Sequence, residues 1–204
     1  MALISEDDQQ TLTALIGEME SRTEAEIVCV VSRAASDYRS VPLIWASLGA
    51  FALPWPLIHF FSLQTITVYR VQLFGFLALA LLLSFAKWRF WLVPRLMKRR
   101  RAAEAAREQF YTRGMHRTAG RTGVLIYIAE AERYAEILVD DRVATAVDSA
   151  VWRNQVEMLT AALRRQEPGD GLAAVIRSTG EILARALPAQ SGSRDELPNR
   201  IVIL

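Results

Sequence analysis

The chain has 204 residues, 52% in the hydrophobic set and 23% charged, with a formal net charge of +2. The averages suit one soluble domain, yet the charge is unevenly placed: no Asp, Glu, Lys or Arg occurs from Ser40 to Tyr69, nor from Val71 to Ala86, and only Arg70 separates the two stretches. That pattern excludes a disordered chain, a purely soluble globule and a transporter with many spans.

In chain order, residues 4 to 21 predict a helix. Ser5 is a natural N-cap and Asp8 completes a shortened capping box, while Glu6, Asp7 and Asp8 suit the positive end of the helix dipole. Leu12, Leu15, Ile16 and Met19 recur at three- and four-residue spacing and form one apolar face. Residues 25 to 32, with the run Ile27-Val28-Cys29-Val30-Val31, predict a strand buried on both faces and needing a neighbour on each edge. Cys29, the only cysteine, is expected to be a buried small hydrophobe rather than a nucleophile. The amino-terminal decapeptide MALISEDDQQ lacks the basic and apolar regions of a signal peptide.

Two membrane spans are expected next, about 41–61 and 71–93. Pro42, Pro54 and Pro56 should kink or break the first, and a re-entrant first segment is its rival. Lys87 and Arg89 would snorkel to the interface beside Trp88 and Trp91. From Lys87 to Arg121 there are eleven Lys and Arg against two acids, a net of +9, so the rest of the chain carries −7. The cluster Lys98, Arg99, Arg100 and Arg101 orients the hairpin with both flanks in the cytoplasm by the positive-inside rule. It also suits contact with anionic headgroups. The acidic remainder argues against nucleic acid as a partner.

A basic helix over 96–115 follows, then the turn-rich RTAGRTG at 117–123, a strand at 124–129, a turn at 130–133 and a strand at 134–139. The two strands are close enough for an antiparallel hairpin. Either Asp140 or Asp141 could cap a helix starting near Val143. Helices are expected over 151–165 and 172–187, broken by Pro168-Gly169-Asp170-Gly171, with a flexible tail that ends in the strand-like Ile201-Val202-Ile203-Leu204. That terminal run could add to a sheet edge of its own domain or of a partner.

Neither polar part forms a convincing domain alone. The expected organisation is therefore one α/β domain made from residues 1–40 and 96–188, with the hairpin of 41–95 inserted after the first strand and a tail over 189–204.

The phrases AEIVCVVS, FYTRGMHRTAGRTGVLIYIAEAERYAEILVDDR and RDELPNR, in this order, resemble the TPM domain family, and more narrowly its bacterial membrane proteins. The resemblance implies an α/β/α sandwich around a small mixed sheet. It also implies roles such as weak phosphatase activity, divalent cation binding, or help in assembling and repairing membrane complexes. Asp141 falls on the family's usual acid. Val143 stands where a glycine is usual in a glycine-rich cleft, and a valine adopts positive φ only at a cost.

Asp140, Asp141 and Glu26 are the candidate ligand residues, since carboxylates at a strand's carboxyl end suit Mg²⁺ or Ca²⁺. The simpler reading gives one Asp to helix capping and the other to solvent, and makes Glu26 a surface residue or a partner of Arg121. His116, in a basic turn-prone connector, reads as a solvated or helix-ending histidine, His59 near the end of the first span has no partner acid for a proton relay, and no nucleophile elbow, P-loop or zinc-protease motif occurs. The expected function is a membrane-anchored interaction or assembly module at the cytoplasmic face of the plasma membrane, binding another membrane protein. A weak metal-dependent phosphatase is the alternative. A channel fits poorly, because the uncharged stretches hold no acid to guide ions.

Overall fold

The computed structural model describes residues 4–61, 63–85, 90–165, 168–189 and 201–204. Residues 190–200 of the expected tail, including RDELPNR, and Lys87, Trp88 and Arg89 at the expected interface lie outside them. The chain divides into two compact units. One combines residues 1–35 with 99–204, and the other is residues 36–98.

The first unit opens with α1 (Glu6–Glu20). Ser5 Oγ accepts from Asp8 N at 3.1 Å and Asp8 Oδ2 accepts from Ser5 N at 3.2 Å, so both halves of the capping box form. β1 (Glu26–Ser32) is buried at every position. It lies between two parallel neighbours, β2 (Gly123–Ala129) and β4 (Ile201–Ile203). β3 (Tyr134–Val139) pairs antiparallel with β2, giving the mixed order β3-β2-β1-β4. The terminal run thus joins the sheet of its own domain, with Cys29 opposite Ile201 and Val31 opposite Ile203.

Alternation along the strands divides the core by face. Ile27, Cys29, Val31, Val124, Ile126 and Ile128 face one layer. It is built by α1 with α6 (Asp141–Ala146), α7 (Ser149–Arg165) and α8 (Pro168–Ala186). Val28, Val30, Leu125 and Tyr127 face Ala102, Ala106 and Phe110 of a helix over Arg95–Thr112, α5 in chain order. Helices therefore cover both faces of a four-stranded mixed sheet, an α/β/α sandwich. The four-residue spacing of Ala102, Ala106 and Phe110 gives α5 its narrow apolar stripe, and the small alanines let it lie close to the sheet.

Pro168-Gly169-Asp170-Gly171 does not precede the last helix but forms its first turn, because Pro168 sits where a helix has no N–H to satisfy. The beginning of β1 is tied to the end of α8, where Glu24 N donates to Leu187 O at 3.1 Å and Thr23 Oγ1 donates to the same carbonyl at 2.6 Å.

The second unit contains α2 (Ser40–Ala52), α3 (Pro54–His59) and α4 (Thr65–Ser84). The helix is interrupted at Leu53 before Pro54, one of the three prolines expected to kink or break it, while Pro42 and Pro56 lie within the first turns of α2 and α3. Taken together, Ser40–His59 is 20 residues long, as is Thr65–Ser84. At 1.5 Å per residue each measures about 30 Å, the thickness of a bilayer's hydrocarbon core. α4 starts six residues before the stretch beginning at Val71 and takes in Arg70. Its limits are set by extended backbone at Gln64 and Phe85 rather than by charge. α2 and α4 approach closely at their glycines: a Cβ on Gly49 would lie 2.9 Å from Leu79 Cδ2, and one on Gly75 would lie 3.0 Å from Leu53 Cδ1. Most of the large apolar side chains point outward, with Phe51 80% exposed, Phe74 67% and Leu81 70%. Tyr38, Val41 and Val93 form a small buried cluster with Phe90 and Leu92 at the base of this unit.

Candidate functional site

Asp140 ends β3 and starts α6. Its Oδ1 accepts from Asp141 N at 2.8 Å and its carbonyl accepts from Ala144 N at 2.9 Å, so Asp140 is the N-cap and Asp141 the first helical residue. The two side chains differ sharply in setting. Asp140 is 6% exposed, whereas the Asp141 side chain is 78% exposed. A guanidinium stands between them: Arg121 Nη1 lies 3.2 Å from Asp141 Oδ2, and Arg121 Nε lies 3.7 Å from Asp140 Oδ2. Arg121 is held at φ +50°, a left-handed conformation that directs this residue from the RTAGRTG connector toward the aspartates. Beside it, Arg142 Nη2 pairs with Glu24 Oε2 at 2.9 Å.

Glu26 is 7% exposed at the start of β1, so it is a buried residue and not a surface one. It lies opposite Gly123 in the ladder, and Gly123 O accepts from Asp140 N at 2.9 Å. The three candidate acids thus lie at one end of the sheet. Because β3 runs against its neighbours, that end is the carboxyl end of β3 but the amino end of β1 and β2. The rule that open α/β sheets bind ligands at the carboxyl ends of their parallel strands therefore points to the opposite edge.

Val143 is fully buried within α6, and the backbone after β3 is a helical turn with no glycine-lined cleft. Among the described residues, no group of three His, Cys, Asp or Glu side chains is placed to hold a metal ion. With Arg121 already neutralising both aspartates and Asp140 engaged as a cap, this cluster does not fit a Mg²⁺ or Ca²⁺ centre.

The carboxyl edge of the parallel strands carries residues that the sequence reading passed over. Tyr127 is 1% exposed and hydrogen-bonds Ser32. Burial pushes its phenol up, against the Ser32 bond, and Glu132 and Glu108 push the same way. Ser32 Oγ donates to Ala34 O at 2.9 Å, and Glu132 Oε2 accepts from Ala35 N at 3.1 Å. Tyr134 donates to Glu136 Oε2 at 2.8 Å, and its phenol is raised by burial and by that carboxylate, while Arg107 and Arg99 pull it back. The signal for this cluster in sequence is only the alternation of Tyr127, Tyr134 and Glu136 along two strands, which reads equally as sheet surface.

Cys29 is fully buried, and burial, with Glu20, raises its thiol far above the ordinary range. It is inert in this setting. His116 is half-buried with its ring 5.2 Å from that of Tyr111, in the short 3₁₀ turn Met115–Arg117. His59 stacks on Trp55 at 5.5 Å within the apolar unit. A shallow cleft of about 530 Å³ lies between α6, α7 and α8, lined by Val147, Asp148, Val151, Ser178, Ile182 and Arg185 among others. The cleft is separate from the three candidate acids.

Residues 86–182 match the family model of the TPM domain. No curated protein matches the chain. The NMR structure of the BA42 protein from the psychrophilic bacterium Bizionia argentinensis has a similar fold, with a TM-score of 0.62 over 98% of this chain and 95% of that chain at 16% identity. At that identity the likeness concerns the fold alone. The family match begins beyond α4, and α1 and β1 complete the same core from outside the matched residues. The TPM-domain match thus lies within residues 86–182, and the sheet that those residues help to build takes β1, one of its two central strands, from before the apolar hairpin.

Proposed function

We propose that the protein is a membrane-anchored TPM-domain module that acts by binding another membrane protein at the cytoplasmic face. One observation carries this reading: two 20-residue apolar helices with outward-facing aromatic and aliphatic side chains lie between β1 and β2. Only 22% and 6% of their hydrophobic windows are buried, as befits helices facing lipid rather than a protein core. The net +9 block that follows favours a cytoplasmic location for both flanks. The acids at the amino edge are engaged in capping and in pairs with Arg121 and Arg142, which supports a binding role over a hydrolytic one.

Affinity capture of the full chain in mild detergent tests this. A stoichiometric membrane protein recovered across growth conditions is expected, and its repeated absence would count against the proposal. A weak metal-dependent phosphatase is the second reading; it rests on Asp140 Oδ2, which is buried without a hydrogen bond and would have to exchange its ion pair with Arg121, at 3.7 Å, for a cation. Turnover that requires Mg²⁺ or Ca²⁺ and disappears in Asp141→Asn would establish it.

A further inference from the structure

We propose that the amino-terminal part of α5 is a binding strip for anionic lipid headgroups, an inference that rests on the membrane reading above. Arg95, Arg99 and Arg100 are exposed, and Lys98 is half-buried on the same two turns. Among the described residues none of these four has a carboxylate partner. Glu104, the first acid along the helix, is occupied by Arg101 at 3.1 Å. Packing on the sheet does not require the charge: the helix is held there through Ala102, Ala106 and Phe110, all beyond the basic run, and among the described residues only Arg99 of the four cations acts on the domain, through the Tyr134 phenol. Four unpaired cations in six residues repel one another and lower the stability of an isolated helix. An external polyanion would remove that cost.

The neighbouring apolar residues identify the polyanion. Trp91, four residues before the basic run, is 79% exposed, and Leu96, within it, is 65% exposed. Indole and leucine beside arginine match the boundary between acyl chains and phosphates, where the long Arg stems lie along apolar material and the guanidinium groups reach phosphate oxygens. Free phosphate offers no apolar partner for exposed Trp91 and Leu96, and nucleic acid is disfavoured by the net −7 of the chain outside residues 87–121. The basic run also begins within eleven residues of the end of α4, so a chain anchored by that helix holds it near the membrane surface.

The full chain in neutral detergent is titrated with phosphatidylglycerol or phosphatidylcholine, and retained lipid is counted by native mass spectrometry. Phosphatidylglycerol is expected to bind at least tenfold more tightly. Each charge removed in the series R95Q, R99Q and R100Q should weaken it about fivefold, and 0.5 M salt should do the same. The charge-preserving R95K/R99K/R100K variant should retain selectivity, which separates loss of charge from loss of fold. Millimolar inorganic phosphate should not compete. Equal affinity for the two lipids, unchanged selectivity in the triple glutamine variant, or displacement of the lipid by inorganic phosphate would overturn the proposal. Tighter binding of a polyglutamate peptide than of phosphatidylglycerol would overturn it as well. Carbonate extraction of native membranes distinguishes the two levels. Release of the chain refutes membrane anchoring itself, whereas retention without lipid selectivity refutes only the strip.

Discussion

Replacing Asp140 and Asp141 separately by alanine should have very different consequences, although the residues are adjacent. Asp140 caps α6 through a 2.8 Å bond to Asp141 N, and it is 6% exposed with Arg121 Nε at 3.7 Å. Losing an N-cap costs about 1 kcal/mol. Losing the charge partner of a half-exposed arginine adds roughly 0.5 kcal/mol. The total of about 1.5 kcal/mol corresponds to a fall in Tm of roughly 3–6 °C for a domain of this size. Asp141 offers only a 78% exposed carboxylate to the same arginine, so Asp141→Ala should cost less than about 0.5 kcal/mol. Thermal unfolding of the full chain in detergent, followed by circular dichroism, measures both. Millimolar Mg²⁺ or Ca²⁺ should leave every Tm unchanged. An equal loss in the two variants would refute the assignment of Asp140 as the structural residue. So would a cation-induced rise of several degrees that Asp141→Ala abolishes.

Three further outcomes follow from the core. The Cys29 thiol is raised by burial, so below its ordinary value of 9.0 folded and unfolded chains both keep the proton and no stability is lost. Above that value only the unfolded chain ionises, and by pH 10.5 the wild type should lose about 2 kcal/mol relative to pH 8 that Cys29→Ala retains, measured by denaturant titration. A Cβ on Gly180 would lie 2.5 Å from Met19 Cβ, so Gly180→Ala should destabilise by about 1–2 kcal/mol, and a Met19→Ala background should relieve only part of that cost, because alanine loses the Cγ and Sδ contacts at 2.6 and 2.7 Å but keeps the Cβ. Truncation before Ile201 removes the partner of Cys29–Val31 and bares the edge of a fully buried strand. It should lower stability by about 3 kcal/mol and produce aggregates on size exclusion.

The parts of the fold that were legible were those specified locally. Ser5 and Asp8 fix the start of α1 by bonds spanning three residues, and the unbroken run Ile27 to Val31 signals a strand with two neighbours. Features that depend on distant contacts were read less well. Arg70 looked like a boundary because charge is costly in a membrane, but it lies in the second turn of α4, near enough to the end for a long side chain to reach polar surroundings. Pro168 looked like a stop signal and proved to be a start, since the same missing N–H serves both roles. At the candidate site, the adjacency of Asp140 and Asp141 was visible, while the arginine between them was not, because Arg121 lies nineteen residues before Asp140 and is brought beside it only when β2 and β3 pair and the positive-φ turn before β2 forms. The direction of β3 relative to β1 also needs the assembled sheet, and that direction decides which edge is the carboxyl edge of the parallel strands.

The α/β domain is interrupted by the apolar hairpin between β1 and β2, and the proposed role of that hairpin is to fix the domain to the cytoplasmic side of a membrane. Paired topology reporters test it most directly. A reporter fused after Leu204 should be active in the cytoplasm, and one inserted at Gln64, between α3 and α4, should be active on the opposite side. Activity of both reporters on the same side, or the reverse pattern, would contradict the account.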